Sequence, residues 1–332
     1  MRVIEVSTGR YLPDHVGKCD RASSCGYDYK WRDYLSDNAD EGSGHAIRTA
    51  NESKHKSASR SKNRTEGRNQ SRMYESCVRK PDYLEPGNLL DTLKDYDRNS
   101  FVQFLLQLFP YDSDSINHGV KEYLIGTKDG FTSFPTISKN GKICKAKLMK
   151  FDPATGKRIK GEYTISSLQK KLVKAGKLSA GFETDKNVFF GEHLSRKYPG
   201  WPVGIVEAEK TAVLAWICKR AFPEDLVWLA TGSKQWLKVD RLKRLGRDRR
   251  IILYPDADGF KEWQAVAYEA SKCGLSVKVS DLIERQATER EKAMGSDLAD
   301  YLIREQRRRN DPVIREAFRD LIEKKLAKMI DG

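Results

Sequence analysis

Long apolar runs are missing from this sequence. None approaches the roughly 20 residues that a bilayer-spanning helix needs, and the opening MRVIEVSTGRYLPDHVGKC carries no signal-peptide pattern. Cysteine is scarce as well. Six residues scattered over 332 positions do not make a disulfide framework and suit a reducing cytoplasm. No GxxxxGK[ST] phosphate loop occurs, and neither GTKDGF nor TGSKQW substitutes for one, which argues against helicase activity. Acidic residues fall short of basic ones, 47 Asp and Glu against 61 Lys and Arg, for a net charge of +14. Such an excess favours polyanionic partners, nucleic acid above all, although it also serves plain solubility.

What the chain does have is concentrated between Val203 and Tyr301. Two short apolar runs, Val203–Val206 and Ile251–Tyr254, each lead into acidic residues: Glu207 in VGIVEAEKTAVLA, and Asp256 with Asp258 in IILYPDADGFKEW. Apolar runs of this length followed by helical patterns predict strands of a buried parallel sheet in an α/β unit. Strands Leu226–Ala230 and Leu275–Val279, with helices Thr211–Arg220, Gln235–Leu245 and Lys261–Cys273, complete a four-stranded alternation. Ligands of such sheets bind at the carboxyl ends of the strands. Glu207, Asp256 and Asp258 would repel one another there unless a cation sat between them, and an all-oxygen ligand set suits Mg²⁺ or Mn²⁺. The other reading of the Asp pair is a turn that caps the following helix. SDLADYL adds Asp297 and Asp300 on one side of a later helix start.

The rest of the chain divides by composition. Residues 1–36 read as two strands around a turn, with Cys19 and Cys25 enclosing CDRASSC before Gly26. This has the shape of one knuckle of a zinc ribbon, with His15 as a third Zn²⁺ ligand. Its spacing exceeds the roughly two to four residues usual within a pair, so two ordinary thiols are the alternative. A cysteine pair upstream of Met1 would complete the ribbon. Residues 37–80 are nearly devoid of apolar side chains and rich in Ser, Asn, Arg and Lys; they read as a disordered basic linker, either a solvated tether or a segment that tracks phosphates. Residues 81–200 read as an α+β subdomain. In it, DYDRNSFVQFLLQLFP is a helix stopped by Pro110, VKEYLIGT, GFTSFPTI and KICKAKLMKFD are strands, and Asn140-Gly141 is a hairpin turn. Lys145 and Lys147, with Lys142 and Lys150, alternate with apolar residues in the last strand; Arg158 and Lys160 follow. That basic strand is either a solvated face or one wall of a nucleic-acid groove. Residues 305–332 end the chain in a packing helix whose stripe is Val313, Ile314, Phe318, Leu321, Ile322 and Leu326.

A Glu after the first strand, a small-residue turn containing Gly232 after the second, Asp-x-Asp after the third and a later acidic helix start resemble a toprim domain, here spanning 201–304. The whole layout resembles toprim primase-like proteins of bacterial mobile elements, with a zinc-ribbon half, a basic β-rich subdomain and the toprim sheet. The resemblance implies a toprim-type four-stranded parallel sheet flanked by helices, preceded by the α+β subdomain and a small β-ribbon remnant. It implies Glu207 as the acid–base residue and Asp256 and Asp258 as metal carboxylates, with Asp297 or Asp300 auxiliary. The activity it implies is Mg²⁺-dependent nucleotidyl transfer from nucleoside triphosphates on a single-stranded DNA template, with unwinding by a separate replicative helicase. Lys210, Lys145, Lys147, Lys150 and Arg158 are then the phosphate-binding set. The family departs here at Ala208, where Gly is usual, which leaves the tightness of that turn open. A nucleophilic-tyrosine topoisomerase needs a further large domain that the chain has no room for. A toprim nuclease, and a nucleic-acid-binding accessory without activity, remain as alternatives.

Overall fold

The computed structural model describes residues 80–161, 163–316 and 319–320 and, within the amino-terminal unit Met1–Glu75, two short strands, Gly17–Lys18 (β1) and Asp28–Tyr29 (β2). These two pair antiparallel and flank Cys19 and Cys25 in sequence. The candidate zinc ligands Cys19, Cys25 and His15 lie outside the described residues. So do nearly all of the expected linker at 37–80 and Phe318, Leu321, Ile322 and Leu326 of the tail stripe. Residues 312–316 are helical as expected, with Val313 exposed.

The second unit opens with a short helix, Pro86–Leu90 (α1), whose Asn88 closes a capping box on Glu85. The helix Ser100–Leu108 (α2) begins at the Asn-Ser pair. Asn99 Oδ1 accepts from the N–H groups of Phe101 (3.2 Å) and Val102 (3.1 Å), while its buried Nδ2 donates to the Gly126 carbonyl at 2.8 Å. One residue thus starts a helix and fastens it to the sheet that follows. The next helix, Ser113–Glu122 (α3), corrects the expected strand VKEYLIGT: Val120 to Glu122 form its last turn, and only Gly126–Lys128 (β3) is extended. Helix wins because Asp112 accepts from the Ser115 N–H (3.2 Å) and because Ile116 and Val120 share one buried face.

Strands Phe131–Ile137 (β4), Ile143–Met149 (β5) and Ile165–Ser167 (β6) join β3 in an antiparallel sheet of order β3-β4-β5-β6. Gly141 makes the β4–β5 turn with φ +79°. In β5 the half-buried Lys145 and Lys147 alternate with buried Cys144, Ala146 and Leu148. Helices Leu168–Lys174 (α4) and Leu194–Lys197 (α5) lead to the second sheet.

That sheet consists of Val203–Val206 (β7), Val227–Ala230 (β8), Ile251–Leu253 (β9) and Val277–Val279 (β10), all parallel, in the order β10-β9-β7-β8. The connecting helices are Glu209–Ile217 (α6), Val239–Lys243 (α7) and Phe260–Lys272 (α8). The helix expected over Gln235–Leu245 is shorter, because Lys234–Trp236 forms a separate 3₁₀ turn before α7. Leu282–Gln286 (α9), Glu289–Ala293 (α10) and Leu298–Asn310 (α11) follow. Every residue of β7 and β8 is buried, and α6 is buried almost all round, packed on β8, α3 and α11. A helix apolar on every side belongs inside a domain. Gly204 makes this sheet possible in its present form: a Cβ there would meet the Trp228 ring at 2.7 Å. Phe190 bridges Ala230 on the outer edge of β8, with hydrogen bonds of 3.0 and 3.1 Å, and the Tyr123 hydroxyl donates to the Trp228 carbonyl at 2.8 Å. The fold is α/β: an antiparallel four-stranded sheet followed by a helix-flanked parallel one. Among the described residues no helix is long and apolar enough to cross a membrane.

Candidate active site

The carboxyl edge of the parallel sheet gathers the acidic residues. β7 and β9 are neighbours in register, Val203 beside Ile251 and Ile205 beside Leu253. Glu207 and Asp256 therefore leave the sheet at the same level, close enough for each carboxyl to act on the other. Burial raises the Asp256 carboxyl to about 9, and the charges of Asp297, Glu207 and Asp258 add to the effect against the pull of Lys234. Burial also raises Glu207. The neighbouring Lys234 backbone N–H opposes the rise, while the charge of Asp258 reinforces it.

The loops that hold these groups are tied together. The Ala257 N–H donates to the Ser296 carbonyl (2.9 Å), which brings the start of α11 over the Asp-x-Asp turn. Asp297 is the N-cap of α11: Oδ1 accepts from the Asp300 N–H (2.9 Å) and Oδ2 from the Thr211 hydroxyl (2.8 Å). Asp300 closes that capping box, and burial followed by the charge of Asp297 raises its carboxyl. Asp256 and Asp258 do not cap α8, whose N-cap is Gly259 without a side-chain bond, so the capping alternative for the pair does not hold. Ala208 sits at φ −100° and ψ 145°, extended backbone open to any residue, so the absent glycine costs that turn nothing.

Behind Glu207, the turn after β8 is laced to it: Thr231 N–H donates to the Val206 carbonyl (3.0 Å) and Gly232 N–H, with φ +85°, to the Glu207 carbonyl (2.8 Å). Lys234 then reaches across the site. Its ammonium donates to Asp258 Oδ2 at 2.9 Å and to the Asp258 carbonyl at 3.1 Å, and it lies 3.7 Å from Glu262. Arg241, only 2% exposed, anchors the turn from below. It donates to the carbonyls of Thr231 (3.3 Å), Trp236 (2.8 Å), Asn187 (3.0 Å) and Val188 (3.0 Å) and stacks on Phe189 at 4.1 Å. Sequence reasoning missed both residues. Position alone flags Lys234, which stands just beyond a strand end on the same sheet edge; Arg241 carries no such signal, because its partners are main-chain carbonyls.

The basic residues split into two groups. Lys147 donates to Glu209 at 2.9 and 3.2 Å, and Lys210 to the Gly156 carbonyl at 3.3 Å, so both tie the first turn of α6 to the antiparallel sheet and its turn. Glu209 is 4% exposed. It is a buried ion-pair partner in the first turn of α6, a role that its residue type alone does not signal. Lys145 is half-buried, and burial lowers its pKa against the opposing charge of Glu209. Lys150 lies 4.8 Å over the Phe131 ring, and Arg158 is exposed in the following hairpin. Lys210 and Lys157 both act electrostatically on Asp300, which joins the basic surface to the acidic edge.

Among the described residues no three His, Cys, Asp or Glu side chains form a ready-made metal cage. The donor set nonetheless fits a hard divalent cation. It is all oxygen, and Asp256 is kept protonated by burial and then by the neighbouring negative charges, a strain that a cation relieves by letting it ionise.

Comparison with known proteins gives four findings. The model of a family described as a domain of unknown function (DUF6371) matches residues 99–257, from the Asn99 cap through the Asp256 turn. A zinc beta-ribbon finger model matches residues 1–40. No curated protein sequence matches the chain. Among solved structures, the chain is similar to the Escherichia coli primase catalytic core (TM-score 0.39, 12% identity, 66% of this chain and 81% of that one) and to a DnaG primase catalytic domain bound to ssDNA (TM-score 0.39, 11% identity, 66% and 80%). It is also similar to the RNA polymerase domain of Mycobacterium tuberculosis primase (TM-score 0.30, 13% identity, 69% and 98%).

Proposed function

We propose that this chain is a primase-like nucleotidyltransferase that joins ribonucleotides on a single-stranded DNA template. The observation that carries the reading is the placement of Glu207 and Asp256 at the ends of adjacent, in-register parallel strands, with Asp258 and Asp297 held beside them by the Ala257–Ser296 bond. In this reading Glu207, Asp256 and Asp258 would hold Mg²⁺ or Mn²⁺, which would supply charge neutralisation and alignment of the attacking and leaving oxygens. Glu207 takes the proton of the attacking 3′-hydroxyl. The new bond forms at the α-phosphorus, and pyrophosphate leaves with the electron pair of the broken P–O bond. A carboxyl raised by burial is suited to that transfer because its proton affinity lies nearer that of the medium. Asp297 holds α11 in place through its cap, and Asp300 stands between the acidic edge and Lys210.

Lys145, Lys150, Arg158 and Lys210 would meet phosphates; Lys147 is committed to Glu209 and steadies the floor they stand on. The domain plan assigned to this function is a ribbon at 1–36 that uses Cys19, Cys25 and His15 toward Zn²⁺ and the template, a basic linker at 37–80, a basic subdomain at 81–200, the toprim unit at 201–304 and a terminal helix at 305–332. The sequence resemblance puts this activity in replication of a mobile element, with a separate replicative helicase.

The test is primer synthesis from labelled ribonucleotides on single-stranded DNA with Mg²⁺. Synthesis that is lost in Asp256→Ala and Glu207→Gln supports the reading. Strand cleavage without synthesis replaces it with a nuclease, and DNA binding with neither replaces it with an accessory protein.

A further inference from the structure

Lys234 belongs to the acidic edge as much as the carboxylates do. Its ammonium binds the Asp258 carboxylate and carbonyl, and its charge also acts on Glu207 and Asp256, so a single residue faces the ends of both β7 and β9. The backbone that carries it is fixed from behind. Gly232 turns the chain at φ +85°, and Arg241 holds the carbonyls of Thr231 and Trp236 on either side of Lys234. Around this point the carboxylates divide. Asp256 lies toward Glu207 and Asp297, whereas Asp258 has turned outward to Lys234 at 2.9 Å, its side chain 56% exposed. Among the described residues this division leaves no three acids gathered on one point.

We infer that Lys234 is a tethered cation standing where a second divalent ion would bind, so that this site takes one ion instead of two. The inference rests on the metal reading given above. Two-metal phosphoryl-transfer sites place their ions about 3.5–4 Å apart and share carboxylates between them. Here one of those carboxylates is already paired at 2.9 Å with an ammonium, which carries three donors and no acceptor. Such a group neutralises phosphate oxygens on the leaving side. It brings no exchangeable water, so it cannot generate a hydroxide nucleophile as a second metal can, and the site is biased toward transfer to a bound hydroxyl and away from hydrolysis.

The experiment counts Mn²⁺ on the full chain by calorimetry and by electron paramagnetic resonance, with the ions that disappear in Asp256→Ala taken as those of the site. One ion is expected in the wild type and in Lys234→Arg, and two in Lys234→Met, whose spectrum also gains the splitting of a coupled Mn²⁺ pair. Two ions in the wild type, or a coupled-pair spectrum there, overturn the inference and leave the metal reading intact. One ion in a Lys234→Met protein with wild-type circular dichroism overturns it as well. Absence of any Asp256-dependent ion in all three proteins overturns both. The wild-type count is decisive even if Lys234→Met does not fold.

Discussion

The two four-stranded sheets of the second unit deploy charge in opposite ways. The antiparallel sheet carries Lys145 and Lys147 in mid-strand, half-buried on the face of β5 that lies opposite Thr136 and Phe134 of β4. The parallel sheet admits no charge within β7, β8 or β9; its acids begin one residue past Val206 and three past Leu253. A sheet covered by helices on both faces has nowhere along its strands to solvate a charge, so its chemistry moves to the strand ends. The antiparallel sheet holds its mid-strand cations half-buried, where Lys147 has the Glu209 carboxylate as a partner. The molecule thus has two kinds of charged site, lysines along a strand and an acidic rim, joined where Lys147 grips Glu209 and Lys210 reaches Gly156.

Four changes test that contrast. The largest effect falls on the rim: Asp256→Ala should lower primer synthesis by about 10³-fold or more, equivalent to roughly 4 kcal/mol of transition-state stabilisation, while far-ultraviolet circular dichroism stays unchanged. Next is the apolar sheet itself. Trp228→Ala removes the ring that packs on Gly204, Phe222 and Tyr254 and should cost about 3–5 kcal/mol in urea unfolding. At the junction, Lys147→Met leaves Glu209 buried without its partner. A loss of about 1–3 kcal/mol is expected, less than for a fully enclosed pair because Lys147 is 30% exposed, and Lys147→Met with Glu209→Met should recover most of it.

The smallest effect is a pH slope. In the folded, metal-free chain Asp256 keeps its proton up to about 9, whereas in the unfolded chain it titrates near its ordinary 3.8. Between those values the folded state binds more protons, so stability falls as pH rises and levels off above about 9. Asp256→Asn should flatten that slope. The comparison is cleanest from about pH 7 upward, since His193, lowered chiefly by burial, has finished titrating by then. Saturating Mg²⁺ should flatten the wild-type slope too. A wild-type melting temperature that climbs between pH 7 and 9, relative to Asp256→Asn, would sink the account of the buried carboxyl.

Much of this was readable in the residues themselves. Buried parallel strands must be continuous apolar runs, so VGIV, VWLA and IIL stand out, and the acids that follow the first and the last of these locate the rim. The alternation in KICKAKLM marks β5, but its lysines lie opposite buried Thr136 and Phe134, so the expected division into a basic face and a buried face is not what forms. Other features were not legible. α3 is a polar helix whose Gly119 fits because a Cβ there would meet Ile217 at 2.9 Å, a constraint imposed by α6, far along the chain. Arg241 is defined by carbonyls at Asn187 and Val188, more than fifty positions upstream, and main-chain acceptors leave no trace in residue type. The buried state of Glu209 depends on a strand from the other sheet.

The bridge between Phe190 and Ala230 has a bearing on how copies of this protein can meet. Because the chain lays its own segment along the outer side of β8, the hydrogen-bonding groups at that margin are already occupied, and a strand from a neighbouring molecule finds little to zip onto there. Copies of this protein can therefore lie side by side at high concentration without fusing through that border of the sheet.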